Sequence, residues 1–276
     1  MDSLFSTLTE KPLADRMRPQ TLENFVGQEK VVGAHSYLRR MIENDMVPSI
    51  ILYGPPGTGK TTLASVIAKI TGNIFVAINA VSSGVPELRK LIAKAQEALH
   101  SGQGRTIVFI DEIHRFNKGQ QDVLLPFVEN GTIILIGATT ENPFFEINSP
   151  LLSRMKVVRL EMLTTKEISI IVKMALSDVE RGYGKEGITL TVDCLKTIAE
   201  IAGGDARAAL NILEQAKTML PEGEKEINRD ILKMVLGDAL LKYDKNGDYH
   251  YDVVSAFIKS MFCFLLVNMI SHLCGN

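Results

Sequence analysis

The chain has 276 residues, enough for one large domain or two ordinary ones, and its 46% apolar residues can build a core of that size. A formal net charge of −2 and a pI of about 6.2 exclude the strongly basic balance of a nucleic-acid coat protein, so any contact with DNA has to come from local patches. Three cysteines, Cys194, Cys263 and Cys274, are too few for a disulfide framework and stand at no zinc-ligand spacing, which points to a reducing cytosol. The N-terminus has neither a basic n-region nor an apolar h-region, so no secretory signal is expected. The longest apolar run, residues 261–267, falls far short of the ~20 residues of a spanning helix. A soluble protein, not a membrane one, is expected.

In chain order, the stretch from about residue 48 alternates short β-rich runs with helical ones, the pattern of a parallel sheet with crossover helices. The candidate strands are 49–53, 74–78, 106–110, 132–137 and 157–160. All are compact apolar runs without strict alternation, as expected where both faces of a sheet are covered. Between the second and third lies a helix with Pro86 near its start. Leu88, Leu91, Ile92, Ala95 and Leu99 fall on one side of it, and Arg89, Lys90, Lys94 and Glu97 mostly on the other. After Leu160 the character turns all-helical. Thr164 and Glu167 form a capping box, a second helix begins near Thr191 and stops at Gly203-Gly204, and Asp205 caps a third that carries Leu210, Leu213 and Ala216. A shorter helix follows around 230–236. A domain boundary near residue 162 is therefore expected, between an α/β module and a small helical one.

Gly54-Pro55-Pro56-Gly57-Thr58-Gly59-Lys60-Thr61, followed by Thr62, matches the phosphate-loop pattern G-x-x-x-x-G-K-S/T. Its glycines let successive backbone N–H groups turn inward around phosphates. Lys60 then reaches the β- and γ-phosphates, and the Thr61 hydroxyl joins a Mg²⁺ shell. A strand precedes the loop, and Leu63, Val66, Ile67 and Ile70 mark a helix after it, whose dipole adds to the site. The third strand ends in Asp111-Glu112. A carboxylate there sits where a magnesium shell needs an acceptor, so Asp111 is the metal-side group. Glu112 is the candidate for polarising the attacking water. Bland readings exist for each: a glycine-rich turn for the loop, a solvated turn for the acidic pair. Two look-alikes are set aside. Asn117-Lys118 suggests guanine recognition, but Gln120 stands where the aspartate belongs. Asp244-Lys245-Asn246-Gly247-Asp248 suggests a calcium loop, but its glycine comes two positions early and Ser255 replaces the bidentate glutamate.

Three further segments carry a family resemblance. Arg18-Pro19-x-x-Leu22-x-x-Phe25-Val26-Gly27-Gln28 resembles the adenine-side lead-in segment of clamp-loader-type AAA+ ATPases. Asp111-Glu112-Ile113-His114-Arg115-Phe116-Asn117-Lys118-Gly119-Gln120-Gln121, and Ile136-Gly137-Ala138-Thr139-Thr140-Glu141-Asn142-Pro143-Phe144-Phe145-Glu146 with Leu151-Leu152-Ser153-Arg154 after it, are more particular. Together they resemble the RarA/MgsA family of replication-associated recombination ATPases, whose eukaryotic relatives are the Werner-helicase-interacting ATPases. The likeness spans roughly residues 12–260.

The resemblance implies an AAA+ module with a parallel five-stranded sheet over residues 21–161. A tail and lead-in segment (1–20) precede it, and a helical lid (162–240) and the start of an oligomerisation region (241–276) follow. It implies ATP and Mg²⁺ as ligands, with Val26 and Gly27 bordering the adenine. Thr140 matches the sensor-1 position that holds the attacking water, with Thr139 as the alternative. Arg154 matches the arginine finger that reaches a neighbouring subunit's site, and Arg207 matches the sensor-2 arginine of the lid. Arginine is electrostatically poor in a helix's first turn, which favours a ligand role for Arg207. Asn79 matches a partner that restrains Glu112. The implied setting is ATP-driven action on DNA at stalled forks, gaps and single-stranded ends, with single-strand-binding protein among the partners. Ring-like homo-oligomers and a cytoplasmic, nucleoid-associated location (nuclear if eukaryotic) are implied too. Residues 243–260 resemble the start of the family's C-terminal region, whereas residues 262–276 form an apolar stretch unlike its continuation, so a truncated product is expected. Ser3-Leu4-Phe5 faintly resembles a clamp-binding peptide, and a frayed terminus is the simpler reading. Alternative functions are a clamp-loader or Holliday-junction branch-migration ATPase, and a nucleotide-dependent binding module that hydrolyses poorly.

Overall fold

The structure, a computed structural model, describes residues 11–237. The expectations for Ser3-Leu4-Phe5, Cys263, Cys274, the polar turn at 244–248, the region 243–260 and the apolar stretch 262–276 lie outside the described residues. The chain divides into two compact units, one running from Pro19 to Met162 and the other made of the segments before and after it.

The first unit holds five parallel strands: β1 (Ile50–Tyr53), β2 (Ile74–Asn79), β3 (Thr106–Asp111), β4 (Ile133–Thr139) and β5 (Lys156–Arg159), in spatial order β2-β3-β4-β1-β5. β3 and β4 are buried along almost their whole length because helices cover both faces. Alternate side chains divide between two cores. Ile50, Leu52, Ile107, Phe109, Ile134 and Ile136 pack with Leu63 and Ile67 of the helix Lys60–Ile70, and with Leu22, Phe25 and Leu38 of the N-terminal part of this unit. Ile51, Val108, Ile110 and Leu135 face the other way, onto Leu88 and Ile92 of the helix Val85–His100 and Leu124 of the helix Lys118–Glu129. This period-two division makes a three-layer α/β/α unit. On the helix Val85–His100, Leu99 is 40% exposed where burial was expected, and Ala98 is buried in its place. Leu99, eleven residues after Leu88, keeps nearly the angular position of the stripe, so its exposure follows from its place in the last turn of the helix.

The strand order fixes where chemistry can occur. β1 and β3 are not neighbours; β4 lies between them, paired in register with both, Gly137 opposite Ile51 on one side and Ile110 on the other. The carboxyl ends of β1, β4 and β3 therefore stand side by side, the edge at which ligands bind in open α/β sheets. Gly137 is required there by close approach. A Cβ on it would lie 2.7 Å from Ile51 Cδ1 and 2.8 Å from Ile113 Cδ1.

The second unit is helical, with the helices Thr165–Ser177, Val192–Ile201, Ala206–Thr218 and Arg229–Leu236. The Thr164–Glu167 capping box is formed, and Asp205 accepts a hydrogen bond from Ala208 N at 3.0 Å. Thr191 caps the second helix by accepting from Cys194 N. The helix Leu13–Arg16, which precedes the α/β unit in sequence, also belongs here. Leu13 is fully buried among Ile168, Val172 and Leu213, and its N–H donates to Glu214 Oε1 at 2.9 Å. Among the described residues no helix is long and apolar enough to cross a membrane.

Candidate nucleotide site

The loop Gly54 to Thr61 joins β1 to the helix Lys60–Ile70. Its conformation depends on glycine at Gly59, which sits at φ +98° as the helix N-cap and has the Phe25 ring against it. A Cβ there would lie 2.6 Å from Phe25 Cζ, so the loop and the lead-in segment are fitted to each other. No side chain caps this helix, so the N–H groups of its first turn face outward at the positive end of the dipole, as an anion-binding loop requires. Lys60 is 8% exposed, and its ammonium donates to the Gly54 and Pro55 carbonyls, each at 2.8 Å. Thr58 is buried and donates to Pro55 O at 2.9 Å, while Thr61 and Thr62 are half-buried on the first helical turn.

Asp111 ends β3 half-buried and opposite Asn79 of β2, and its Oδ1 accepts from Glu112 N at 3.2 Å. Glu112 has φ +54°, one of three non-glycine residues with positive φ among the described residues. That left-handed kink turns the chain from β3 into the short 3₁₀ turn Ile113–Arg115. The Glu112 carboxylate lies 3.3 Å from His114 Nδ1. Asn79, the expected partner of Glu112, accepts from Val81 N at 2.8 Å through its side-chain oxygen, closing a local turn.

Thr139 is the last residue of β4 and fully buried. Its hydroxyl lies 2.9 Å from His114 Nδ1 and accepts from Glu141 N at 3.0 Å, and its carbonyl accepts from Gly54 N at 3.2 Å. Thr140, one residue beyond the strand, is exposed. The Thr139 hydroxyl is committed to the protein, so Thr140 is the threonine of this pair with its side chain presented outward.

Val26 is half-buried and Gly27 buried, at φ +77°. Gln28 next to them pairs its amide with the backbone after β5, donating to Glu161 O at 2.7 Å and accepting from Glu161 N at 3.0 Å. Sequence reasoning missed this clamp; its two halves are 133 positions apart. Asn117 and Gln120, set aside above as a false specificity motif, have a structural use as the capping box of the helix Lys118–Glu129. Gln121 is buried and fully engaged: it donates to Phe116 O and Glu146 O and accepts from Asn148 N at 2.7 Å.

Arg154 is half-exposed on the segment before β5. It pairs with Glu129 and donates to Pro150 O at 2.7 Å and Ser153 Oγ at 2.9 Å. Arg207 lies in the helical unit, exposed on the first turn of the helix Ala206–Thr218. Arg89, Lys90, Lys94, Arg115 and Lys118 are all exposed.

A glycine loop at one strand end, an acidic pair at the end of a second, and a polar threonine at the strand between them define the class: a P-loop nucleotide-binding ATPase of the AAA type. Residues 50–161 match the sequence profile of the ATPase family associated with various cellular activities, and residues 184–261 that of the AAA C-terminal domain. Replication-associated recombination protein A of Haemophilus influenzae is 48% identical over 252 residues, 91% of this chain and 56% of the relative. The Escherichia coli K12 protein of that name is 46% identical over 260 residues, 93% of this chain and 58% of the relative. ATPase WRNIP1 of Dictyostelium discoideum is 44% identical over 91% of this chain and 30% of its own length. The chain thus spans little more than half the length of the bacterial relatives. In three dimensions it is similar to the Thermotoga maritima RuvB Holliday junction branch migration motor, with a TM-score of 0.66 and 29% identity over 80% of this chain and 72% of that one. The chain carries both AAA-type domains, and bacterial proteins named replication-associated recombination protein A are 43–48% identical to it over most of its length.

Proposed function

We propose that this chain binds Mg-ATP in the Gly54–Thr61 loop and hydrolyses it, coupling turnover to DNA at stalled forks, gaps or ends during replication-associated recombination. The observation that carries the reading is the meeting of three strand ends: the loop on β1, Asp111-Glu112 on β3, and Thr139 of β4 bonded through its carbonyl to Gly54 and facing His114 through its hydroxyl.

The residues divide the work by charge and position. Backbone N–H groups of Gly57 to Thr62 hold phosphate oxygens, and Lys60 exchanges its two carbonyl partners for them. The Thr61 hydroxyl and the Asp111 carboxylate are hard oxygen donors of the kind magnesium takes one or two of, so they suit that ion. Bound magnesium supplies charge neutralisation on the phosphates. Glu112 orients the attacking water, and Thr140 presents its hydroxyl beside it. Arg154 completes the site of a neighbouring copy, Val26 and Gly27 border the adenine, and Arg207 senses nucleotide from the helical unit. DNA is contacted through exposed cations such as Arg115 and Lys118, with homo-oligomers and fork proteins, single-strand-binding protein among them, as partners in the cytoplasm.

The test is ATP turnover per chain over a wide range of protein concentration, with and without forked DNA. Turnover that rises with concentration and with DNA is expected, because Arg154 acts only when subunits meet. ATP binding with no turnover at any concentration would replace this reading with that of a nucleotide-dependent binding module. A clamp-opening or branch-migration assay separates it from the clamp-loader and junction-motor alternatives.

A further inference from the structure

His114 was given no role in the steps above, yet its ring meets three polar groups beside the acidic pair. Its side chain is only 5% exposed. Nδ1 lies 2.9 Å from the Thr139 hydroxyl and 3.3 Å from Glu112 Oε2, and Nε2 lies 3.5 Å from Glu141 Oε1. A carboxylate only accepts, and a neutral imidazole nitrogen is either a donor or an acceptor. With Nδ1 deprotonated, its lone pair would face the Glu112 carboxylate. The arrangement is favourable with the proton on Nδ1, shared between Glu112 and the Thr139 hydroxyl.

Thr139 in turn is fixed to the phosphate loop through Gly54 N and to the following turn through Glu141 N. The residue before it, Ile113, is fully buried and packed on Gly137. A continuous set of contacts thus runs from the phosphate loop through Thr139 and His114 to the Glu112 carboxylate. The backbone at Glu112 is already set by its left-handed φ, so the side-chain torsions are what remains to be fixed, and His114 is the group that fixes them.

We propose that His114 is a positioning residue: its Nδ1–H ties the Glu112 carboxylate to Thr139 at the end of β4, so that the phosphate loop and the water-orienting carboxylate keep one geometry. This rests on the hydrolysis reading above for its consequence, though the contact itself can be tested without turnover.

The experiment uses the full chain and three variants. His114→Leu keeps the volume and removes the donor. His114→Asn restores a donor near the position of Nδ1. His100→Gln is the control, since the ring of His100 bonds to Gln96 O one turn back on its own helix, Val85–His100, at the exposed end away from the strand ends. His114→Leu is expected to lower kcat roughly 10- to 100-fold, the scale of a displaced reacting group, with KM for ATP unchanged. His114→Asn is expected to recover a large part of the loss, and His100→Gln to match the parent. A kcat for His114→Leu at or above the parent value, or a loss that Asn does not relieve, overturns the proposal. The ring ¹⁵N resonances of His114 are read in parallel in the parent, Thr139→Val and Glu112→Gln. Each substitution is expected to move Nδ1. A resonance indifferent to either one overturns the proposal, even where the leucine variant fails to fold. A parent chain without turnover removes the hydrolysis reading and leaves the ring resonances to decide this one.

Discussion

Glu112 pays twice for its place, in backbone and in side chain. Its φ of +54° lies in the left-handed region, which costs a side-chain-bearing residue about 1–2 kcal/mol. The kink between the buried strand β3 and the 3₁₀ turn Ile113–Arg115 demands that conformation, and chemistry demands a carboxylate at the same position. Two variants separate the demands. Glu112→Ala and Glu112→Gly both remove the carboxylate and should both lose turnover, by roughly the 10²–10⁴-fold of a missing general base. They should differ in stability, with Gly above Ala by about 1 kcal/mol in urea unfolding, because only Ala keeps the left-handed cost. A glycine variant no more stable than the alanine one would mean that the kink relaxes when the carboxylate goes. The Gly59–Phe25 contact is the converse case. Gly59→Ala meets both a positive φ and an aromatic ring at 2.6 Å, so it should weaken nucleotide binding and stability together, read by ATP titration and thermal melting.

Among the elements, caps and charged turns set the ends of helices and can be tested singly. Asp205 is 8% exposed and closes the start of the helix that carries Arg207. Asp205→Ala should cost about 1 kcal/mol. Asp178 ends the helix Thr165–Ser177, accepting from Arg181 N at 2.8 Å and Glu180 N at 3.0 Å and pairing with the Arg181 side chain. The backbone hydrogen bond from Arg181, with its guanidinium pairing adding to it, holds the Asp178 carboxyl below the usual carboxylate range. Its folded value lies below its unfolded one, so its contribution is present above about pH 4 and is lost as pH falls through the folded value. Asp178→Asn should therefore narrow the gap between urea midpoints at neutral pH and at pH 3; an unchanged gap would assign the acid sensitivity elsewhere. The elements that were legible beforehand share one property: their signals are local. Strands β1 to β5 read as apolar runs, Thr164 and Asp205 read as caps, and Thr191 marked a helix start, because each signal lies within a few residues of its effect. What could not be read is long-range or ambiguous. The Gln28 clamp on Glu161 joins distant segments, and Asn117 with Gln120 carried a second, wrong meaning. His114 became informative only when β4 was seen to pack between β1 and β3.

For the whole molecule, the consequential fact is the course of the chain through its units. It forms the helix Leu13–Arg16 in the helical unit, leaves at Arg18 to build the α/β unit, and returns at Leu163. Residues just ahead of the lead-in segment, which the family resemblance placed on the adenine side, thus stabilise the unit that carries Arg207. Leu13 is fully exchanged from water for contacts with Ile168 and Leu213, and truncating such a leucine costs about 2–5 kcal/mol. Leu13→Ala should therefore lower the unfolding midpoint of the helical unit. The α/β core, which contains no residue of that cluster, should keep its own midpoint. Urea titrations followed by hydrogen exchange at Ile198 and Leu213 for one unit, and Ile107 and Leu135 for the other, distinguish the two. Protection lost only in the helical unit is the expected result, and ATP affinity measured on the same variant then reports how much of it depends on Arg207 being held in place. Equal loss in both units would show that they unfold as one cooperative body.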